Sequence, residues 1–357
     1  MRHDCLLVKV LRKPETIESL RAADWDSLIR QARRADLLAH LGVLLENRAL
    51  LTQVPDHAGR HLLAARRVAD KHARVVRWEV NRICHALRDC GVPVILLKGA
   101  AYVMQDLPPW RGRLFSDVDI MVPRESLPAV ERALMIHGWT AIKLDDYDQR
   151  YYRQWMQELP PLRHRRRNTV IDVHHRILPE TTQAQPDAAL MREASIPVAG
   201  DDMLRCLSPA DMVIHSAAHL FYEGEFDHGL RDLADLHLLL QHFGKQPDFP
   251  AMLARRAALL QLERPLWYAL RYTQALLGTP LPAELCAQLR GGRPNPFLGA
   301  VMDWLFRRAL VPDHPDCDIF LTGLARWLLY VRSHYLRMPL YLLIPHLLRK
   351  ALKSEDK

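Results

Sequence analysis

Asp117 and Asp119 are separated by one residue in the run Ser116-Asp117-Val118-Asp119-Ile120-Met121-Val122. Acids alternating with Val118, Ile120 and Val122 have the period of two that sends side chains to opposite faces of a strand. Both carboxylates then share one face, roughly 6–7 Å apart at the backbone, and the branched residues face a core. At about 4 Å and an effective dielectric near 20, two such charges repel by about 4 kcal/mol. A shared divalent cation is one reason to hold them together; a solvated strand end beside Arg111 and Arg113 is the other. A third acid has the same setting. In Ile171-Asp172-Val173-His174-His175-Arg176, one strand face takes Asp172, His174 and Arg176, and the other takes Ile171, Val173 and His175.

The elements that position these acids can be read from the pattern around them. Pro93 to Leu97 is a short continuous apolar run, which suits a buried strand. Lys98-Gly99-Ala100-Ala101 then opens a helix to about Gln105. The acidic strand follows a Pro- and Arg-bearing loop, and a helix from about Arg124 to His137 is stopped by Gly138. Trp139 to Lys143 is expected as a strand. A polar, Tyr-rich helical piece leads to a hairpin with arms Leu162–Arg167 and Thr169–Ile177. Three inward acids on two strands of such a unit predict a compact α+β fold, not a doubly wound sheet.

Residues 15 to 91 read as helical, with Gly42 and Pro55 as punctuation and Cys90-Gly91 as the stop. The helix from about Asp56 to Asp89 carries many Arg and His residues on one side, a solvated face or a phosphate contact. After Ser208-Pro209-Ala210-Asp211, an N-cap with Pro at the first helical position, helices are expected at 209–222, 227–243, 248–260, 263–277, 296–310 and 319–336. The chain thus divides into an N-terminal helical region (1–91), a core with a small mixed sheet (92–205) and a C-terminal helical domain (206–357).

The chain has 357 residues, 49% hydrophobic and 25% charged, values of a soluble globular protein. Its six cysteines form no C-x-x-C pair, which predicts reduced thiols in the cytoplasm and argues against a disulfide scaffold or a cysteine zinc site. The N-terminus lacks the apolar core of a signal peptide, and no uncharged apolar run approaches 18 residues, so no spanning helix is expected. The net charge of +8 favours anionic partners: nucleotides, nucleic acid or an acidic membrane.

Leu96-Leu97-Lys98-Gly99-Ala100-Ala101, then Arg113, Asp117-Val118-Asp119-Ile120-Met121-Val122 and Ile171-Asp172-Val173-His174 together resemble the bacterial nucleotidyltransferase-like family. That family is a divergent branch of the polymerase-beta-type nucleotidyltransferase superfamily. The likeness extends more loosely through Ser208–Asp211, His215, His219 and Arg231-Asp232-Leu233-Ala234-Asp235, covering about 90 to 280. It implies a minimal mixed sheet holding two Mg2+ ions, with Mn2+ as the alternative, on Asp117, Asp119 and Asp172. Paired cations neutralise a triphosphate and activate the acceptor oxygen, and Mg2+ prefers carboxylate oxygens. Asp172 would serve the acceptor side, and Lys98, Gly99, Arg113 and Ser116 the nucleotide. Gly99 would let the triphosphate approach the backbone at a helix start. The superfamily usually has a Gly-Ser pair there, with the hydroxyl on a phosphate; here it is Gly99-Ala100. Lys98 either takes over that contact or only caps the strand end.

Several further residues divide between a functional and a packing reading. His174 could hold a phosphate, orient Asp172 or be a buried structural histidine; His175 faces away. His215 and His219 at i, i+4 have a spacing that can bind zinc, but no acid lies between them and packing is the better reading. Arg231 and Asp235 at i, i+4 fit a helix salt bridge, and the family pattern makes them acceptor-proximal candidates. Arg163, Arg165, Arg166 and Arg167 form the densest basic patch, read as a solvated hairpin or an RNA-binding edge. Residues 337–357 form a basic, apolar tail expected to pack on the helical domain, with contact to an anionic membrane as the alternative. The activity expected is Mg2+-dependent transfer of a nucleoside monophosphate from an NTP such as ATP, releasing pyrophosphate. The acceptor is a small molecule, a protein or an RNA. The rivals are a non-enzymatic nucleotide-binding module and a peripheral membrane or polysaccharide-assembly accessory protein.

Overall fold

The computed structural model describes residues 5–142, 155–199 and 201–338. Most of the Tyr-rich piece expected before the hairpin, and the tail from 339 onward with its expected membrane contact, lie outside the described residues.

Seven strands form one mixed sheet. They are β1 (Val94–Leu96), β2 (Asp117–Met121), β3 (Trp139–Ala141), β4 (Leu162–His164), β5 (Val170–His174), β6 (Ile196–Val198) and β7 (Asp201–Cys206), ordered β3-β4-β5-β2-β1-β7-β6. The fold is α+β, as expected, with helices around the sheet. Its centre is the parallel pair β2 and β5, in which Asp119 stands opposite Asp172 and Val118 opposite Ile171. β1 runs antiparallel to β2 and parallel to β7. The β6–β7 hairpin widens the sheet beyond the small one expected. Pro197 interrupts β6, and Asp201, Asp202 and Met203 of β7 are all exposed, so neither strand shows the alternation that marks β2 and β5.

Alternation explains the central pair. Val118, Ile120, Ile171 and Val173 are all buried, while Asp117, Asp119 and Asp172 remain partly open on the other face. The helices Asp56–Leu87 and Lys98–Met104 both pack against β2. In the 32-residue helix Asp56–Leu87 the buried positions include Ala58, Leu62, Ala69, Ala73, Val76, Val80, Ile83 and Leu87, the recurrence of three and four that makes one apolar stripe. A 3-10 turn at Arg88–Cys90 and Gly91 at φ +66° end it, a left-handed stop that glycine adopts without strain.

C-terminal to the sheet, helices Pro209–Tyr222, Gly229–Phe243, Phe249–Leu259, Glu263–Leu277, Pro296–Ala309 and Thr322–Arg337 follow close to the expected bounds, with a short extra helix at Ala283–Gln288. Ser208 caps the first of them by accepting from the Asp211 amide at 3.3 Å. Asp211 itself is fully buried, and the Arg256 guanidinium donates to both its oxygens at 2.6 and 2.8 Å. The core here is aromatic: Phe221 lies 5.1 Å from Phe306 and 5.6 Å from Tyr268, ring centre to ring centre. No helix among the described residues is long and apolar enough to cross a membrane.

One buried ion pair joins the long helix to the β4–β5 turn and so to the register of β5. Arg167 donates to Glu79 through Nε at 3.0 Å and Nη2 at 2.7 Å, and the Thr169 hydroxyl donates to the same carboxylate at 2.8 Å. The guanidinium also lies 4.7 Å from the Trp139 ring centre and 5.1 Å from that of Trp78, a cation–π setting. Glu79 is 1% exposed, so removing its partner leaves a buried charge uncompensated. Arg167→Met should therefore destabilise the protein by about 3–5 kcal/mol in urea unfolding, and adding Glu79→Gln should restore much of that loss.

Candidate active site

The site forms where the open face of β2 and β5 meets the first turn of the Lys98–Met104 helix. The Leu97 amide donates to the Asp119 carbonyl at 3.0 Å, which delivers the next residue to the carboxylate face. Lys98 has φ +38°, a conformation L residues seldom adopt and hold only when their surroundings impose it. Its Nζ lies 3.9 Å from Asp119 Oδ2. On the other side, His174 Nε2 is 3.2 Å from Asp119 Oδ1, and His174 Nδ1 is 3.2 Å from Glu158 Oε2. Asp119 is thus flanked by an ammonium and by an imidazole that a second carboxylate backs.

The three acids differ accordingly. Burial opposes ionisation of Asp119, but Lys98 and the His174 hydrogen bond hold its carboxyl far below the usual range. Burial and the neighbouring Asp119 push Asp117 up. Asp172 is pushed up to about 8 by burial and by Asp119, Glu158 and Asp117. Its Oδ1 is shut from solvent with no hydrogen-bond partner. His174, although buried, is favoured as imidazolium by Glu158 and Asp119.

A cavity of about 320 Å3 opens in front of Asp117 and Asp119, within the size range of small-molecule sites. Lys98, Gly99, Ser116, Arg113, Arg231 and Asp235 line it as well, so it gathers most of the nucleotide-side and acceptor-side candidates. Asp172 and His174 do not line it; they stand behind Asp119 on the adjacent strand. Arg111 is elsewhere, 3.6 Å from Asp106.

The far wall corrects the expected helix salt bridge. Arg231 does not reach Asp235; it pairs with the adjacent Asp232 at 2.9 Å and lies 3.8 Å from Asp36. Asp235 instead holds Arg113 in a short ion pair, with Asp232 3.8 Å from the same guanidinium. Burial disfavours the Arg113 charge, and the two acids more than offset it. Burial pushes Asp235 up to about 6, still ionised at neutral pH, whereas Asp232 is held down to about 2 against burial by Arg231 and Arg113. Asp232 and Asp235 stand three apart on one helix and face Arg113 together.

Gly99, which lines the cavity, is also closely approached by side chains. A Cβ there would meet the Phe115 ring at 2.9 Å and Arg113 Nε at 3.4 Å, so the close approach is by these side chains. Ala100 is buried and faces away from the cavity. The Tyr102 hydroxyl and Ser216 Oγ, 2.7 Å apart, lie on the wall with His219. His219 is pushed down to about 4 by burial and by Lys98, and His215 is lowered further, also mainly by burial. Burial thus favours the neutral imidazole at both, with His215 buried and His219 half-buried on the cavity wall.

Sequence reasoning missed Glu158, Tyr102, Ser216, His219 as a wall residue, and Asp36. Glu158 falls in the piece read as helical, yet it bridges His174 in strand fashion. Asp36 follows the Ala22–Arg34 helix at φ +55° and carries no motif. Asp232 was available inside the Arg231–Asp235 run, where its spacing to Asp235 was the signal.

The donor set suits a hard divalent cation: three carboxylates, one with a buried orphaned oxygen, in which Asp119 raises the proton affinity of Asp117 and Asp172. Among the described residues no three His, Cys, Asp or Glu side chains converge on one point as they stand, because Asp119 is turned to Lys98 and His174. The Asp172 shift fixes a sign. With a folded value of about 8 against an ordinary 3.8, its contribution to stability is full below the ordinary value and is lost as pH rises through the folded one. In chelator, melting temperature should fall over that interval less steeply for Asp172→Asn than for the native protein; parallel profiles would refute the strained carboxyl.

Searches of the curated proteins and of the solved structures found no match. A family model described as an uncharacterised nucleotidyltransferase matches residues 21–278, more than two thirds of the chain. The matched span takes in β2, β5, Lys98, Asp36 and the Arg231–Asp235 wall alike, and on it the chain belongs to this nucleotidyltransferase family.

Proposed function

We propose that the protein transfers a nucleoside monophosphate from an NTP to an acceptor hydroxyl or equivalent nucleophile in a Mg2+-dependent reaction that releases pyrophosphate. The observation that carries this reading is the in-register placement of Asp119 and Asp172 on adjacent parallel strands beside a cavity, with the Asp172 Oδ1 unsatisfied. Bound Mg2+ would neutralise charge on the triphosphate and lower the proton affinity of the attacking oxygen. Asp117, Asp119 and Asp172 are the residues that would hold it.

The other residues have separable tasks. Lys98 supplies a positive charge next to Asp119, where triphosphate oxygens would lie. His174, backed by Glu158, orients Asp119 and keeps an imidazolium beside it. Arg113 is fixed and charge-compensated by Asp235 and Asp232, so it shapes the wall more than it attracts anions. The acceptor would enter between β2 and the helices Pro209–Tyr222 and Gly229–Phe243, where Tyr102, Ser216 and His219 offer hydroxyls and a neutral ring for hydrogen bonding. The second reading, a nucleotide-binding module without transfer, is favoured by one feature: Ala100 supplies no hydroxyl to a phosphate.

The test is incubation of the purified protein with Mg2+ and each α-labelled NTP in cell extract. Label should appear on an acceptor, and Asp119→Ala should lower the rate at least about a hundredfold, roughly 2.7 kcal/mol of transition-state stabilisation. NTP binding without transfer would select the module. Unchanged binding and transfer in Asp117→Asn would sink the metal assignment. Added Mg2+ should also raise the melting temperature of the native protein and not that of Asp172→Asn, since only a bound cation stabilises the folded state.

A further inference from the structure

One face of the helix Asp56–Leu87 plays no part in the site. Residues 56–88 contain eight Lys or Arg and three acids. Of the acids, Glu79 is buried against Arg167, Asp56 lies in the first turn, and Asp70 is half-buried on the flank that carries Arg66. At 3.6 residues per turn, Arg60, Arg67, Lys71, Arg74, Trp78 and Arg82 fall within about 40° of one line along the helix. All six are exposed. At 1.5 Å per residue the line is about 33 Å long. The ion pairs of this helix run elsewhere, from Arg66 to Glu46 and from Glu79 to Arg167; among the described residues none of the five cations on the line has a carboxylate partner, and Arg82 lies 6.0 Å from the Trp78 ring centre on the line itself.

The β4–β5 turn extends the line. Arg167 reaches within 5.1 Å of the Trp78 ring centre, which brings the exposed Arg165 and Arg166 beside it. The sequence places this basic turn and Trp78 about ninety residues apart, and only the fold joins them.

A solvated helix face normally mixes signs, because like charges at i, i+4 such as Arg67 and Lys71 destabilise a helix by a few tenths of a kcal/mol. Here single-sign charge is concentrated on the line farthest from the core, where it contributes nothing to packing. Its natural counterpart is a linear array of anions. We propose that this face docks a nucleic acid through its phosphodiester backbone, a sequence-independent contact driven by release of counterions. An anionic membrane is the weaker partner: a helix lying on a bilayer buries a continuous apolar face in it, whereas the continuous apolar stripe of this helix is buried in the protein core and the exposed Leu63, Val68, Val75 and Trp78 are interspersed with the cations. The contact is separate from the transfer reaction and stands whether or not the cavity is catalytic.

The probes are a labelled single-stranded RNA of about 30 nucleotides, its duplex, and phosphatidylserine–phosphatidylcholine vesicles, with anisotropy followed between about 50 and 200 mM salt. If five cations engage, log affinity for the single strand should fall against log salt with a slope of about −3.5. Arg67→Gln/Lys71→Gln/Arg74→Gln should make that slope shallower by about 2 and weaken binding at least tenfold at low salt, at unchanged melting temperature. If the triple variant does not fold, Arg67→Gln and Arg74→Gln singly should each reduce the slope by about 0.7. No binding to either nucleic acid at low salt, binding that folded variants retain in full, or binding to vesicles alone would overturn the proposal.

Discussion

The structure turns on a repulsion. β2 and β5 run parallel with Asp119 opposite Asp172, so two carboxylates face one another at strand spacing with Asp117 two residues away. In a half-buried setting that arrangement is costly. What surrounds it is a set of partial answers: Lys98 and His174 neutralise Asp119, Glu158 keeps His174 charged, and Asp172 retains a proton. One oxygen, Asp172 Oδ1, is left without a partner. The branched residues on the opposite sheet face make the arrangement possible, because burial of Val118, Ile120, Ile171 and Val173 fixes the register.

Charge compensation is also how the rest of the cavity is built. Arg113, Arg231, Asp232, Asp235 and Asp36 come from three separate stretches of chain and close a wall whose charges are matched across the gap. Such a wall is stiff, since each group is held by an oppositely charged neighbour in low dielectric. The Tyr102–Ser216 pair and His219 line the same cleft.

The strands that carry the acids were legible in the sequence because their alternation is strict and their unpaired face is chemical. Helix bounds were legible where caps and stops are strong, as at Ser208-Pro209 and Cys90-Gly91. The β6–β7 hairpin was not, since Pro197 interrupts one strand and Asp201-Asp202-Met203 breaks the alternation of the other, and it is placed by the pairing of β7 with β1. Pairings were the least legible. Arg231 and Asp235 have the spacing of an intrahelical salt bridge, yet Arg231 pairs with its neighbour Asp232 and Asp235 with Arg113 across the fold. Likewise, Gly99 matches a phosphate-approach motif, and what approaches it is Phe115. Local spacing states which contacts are available, and tertiary geometry decides among them.

The position of Asp36 in the cavity wall bears on how the site comes into being during synthesis. Its partner Arg231 leaves the ribosome some ~195 residues later, which at about 5–20 residues per second is roughly 10–40 seconds. The strand acids emerge well inside that interval and can pair before the wall exists. Asp172 precedes Arg231 by 59 residues, so for about 3–12 seconds the nascent chain can hold its strand acids side by side before the wall that encloses them exists.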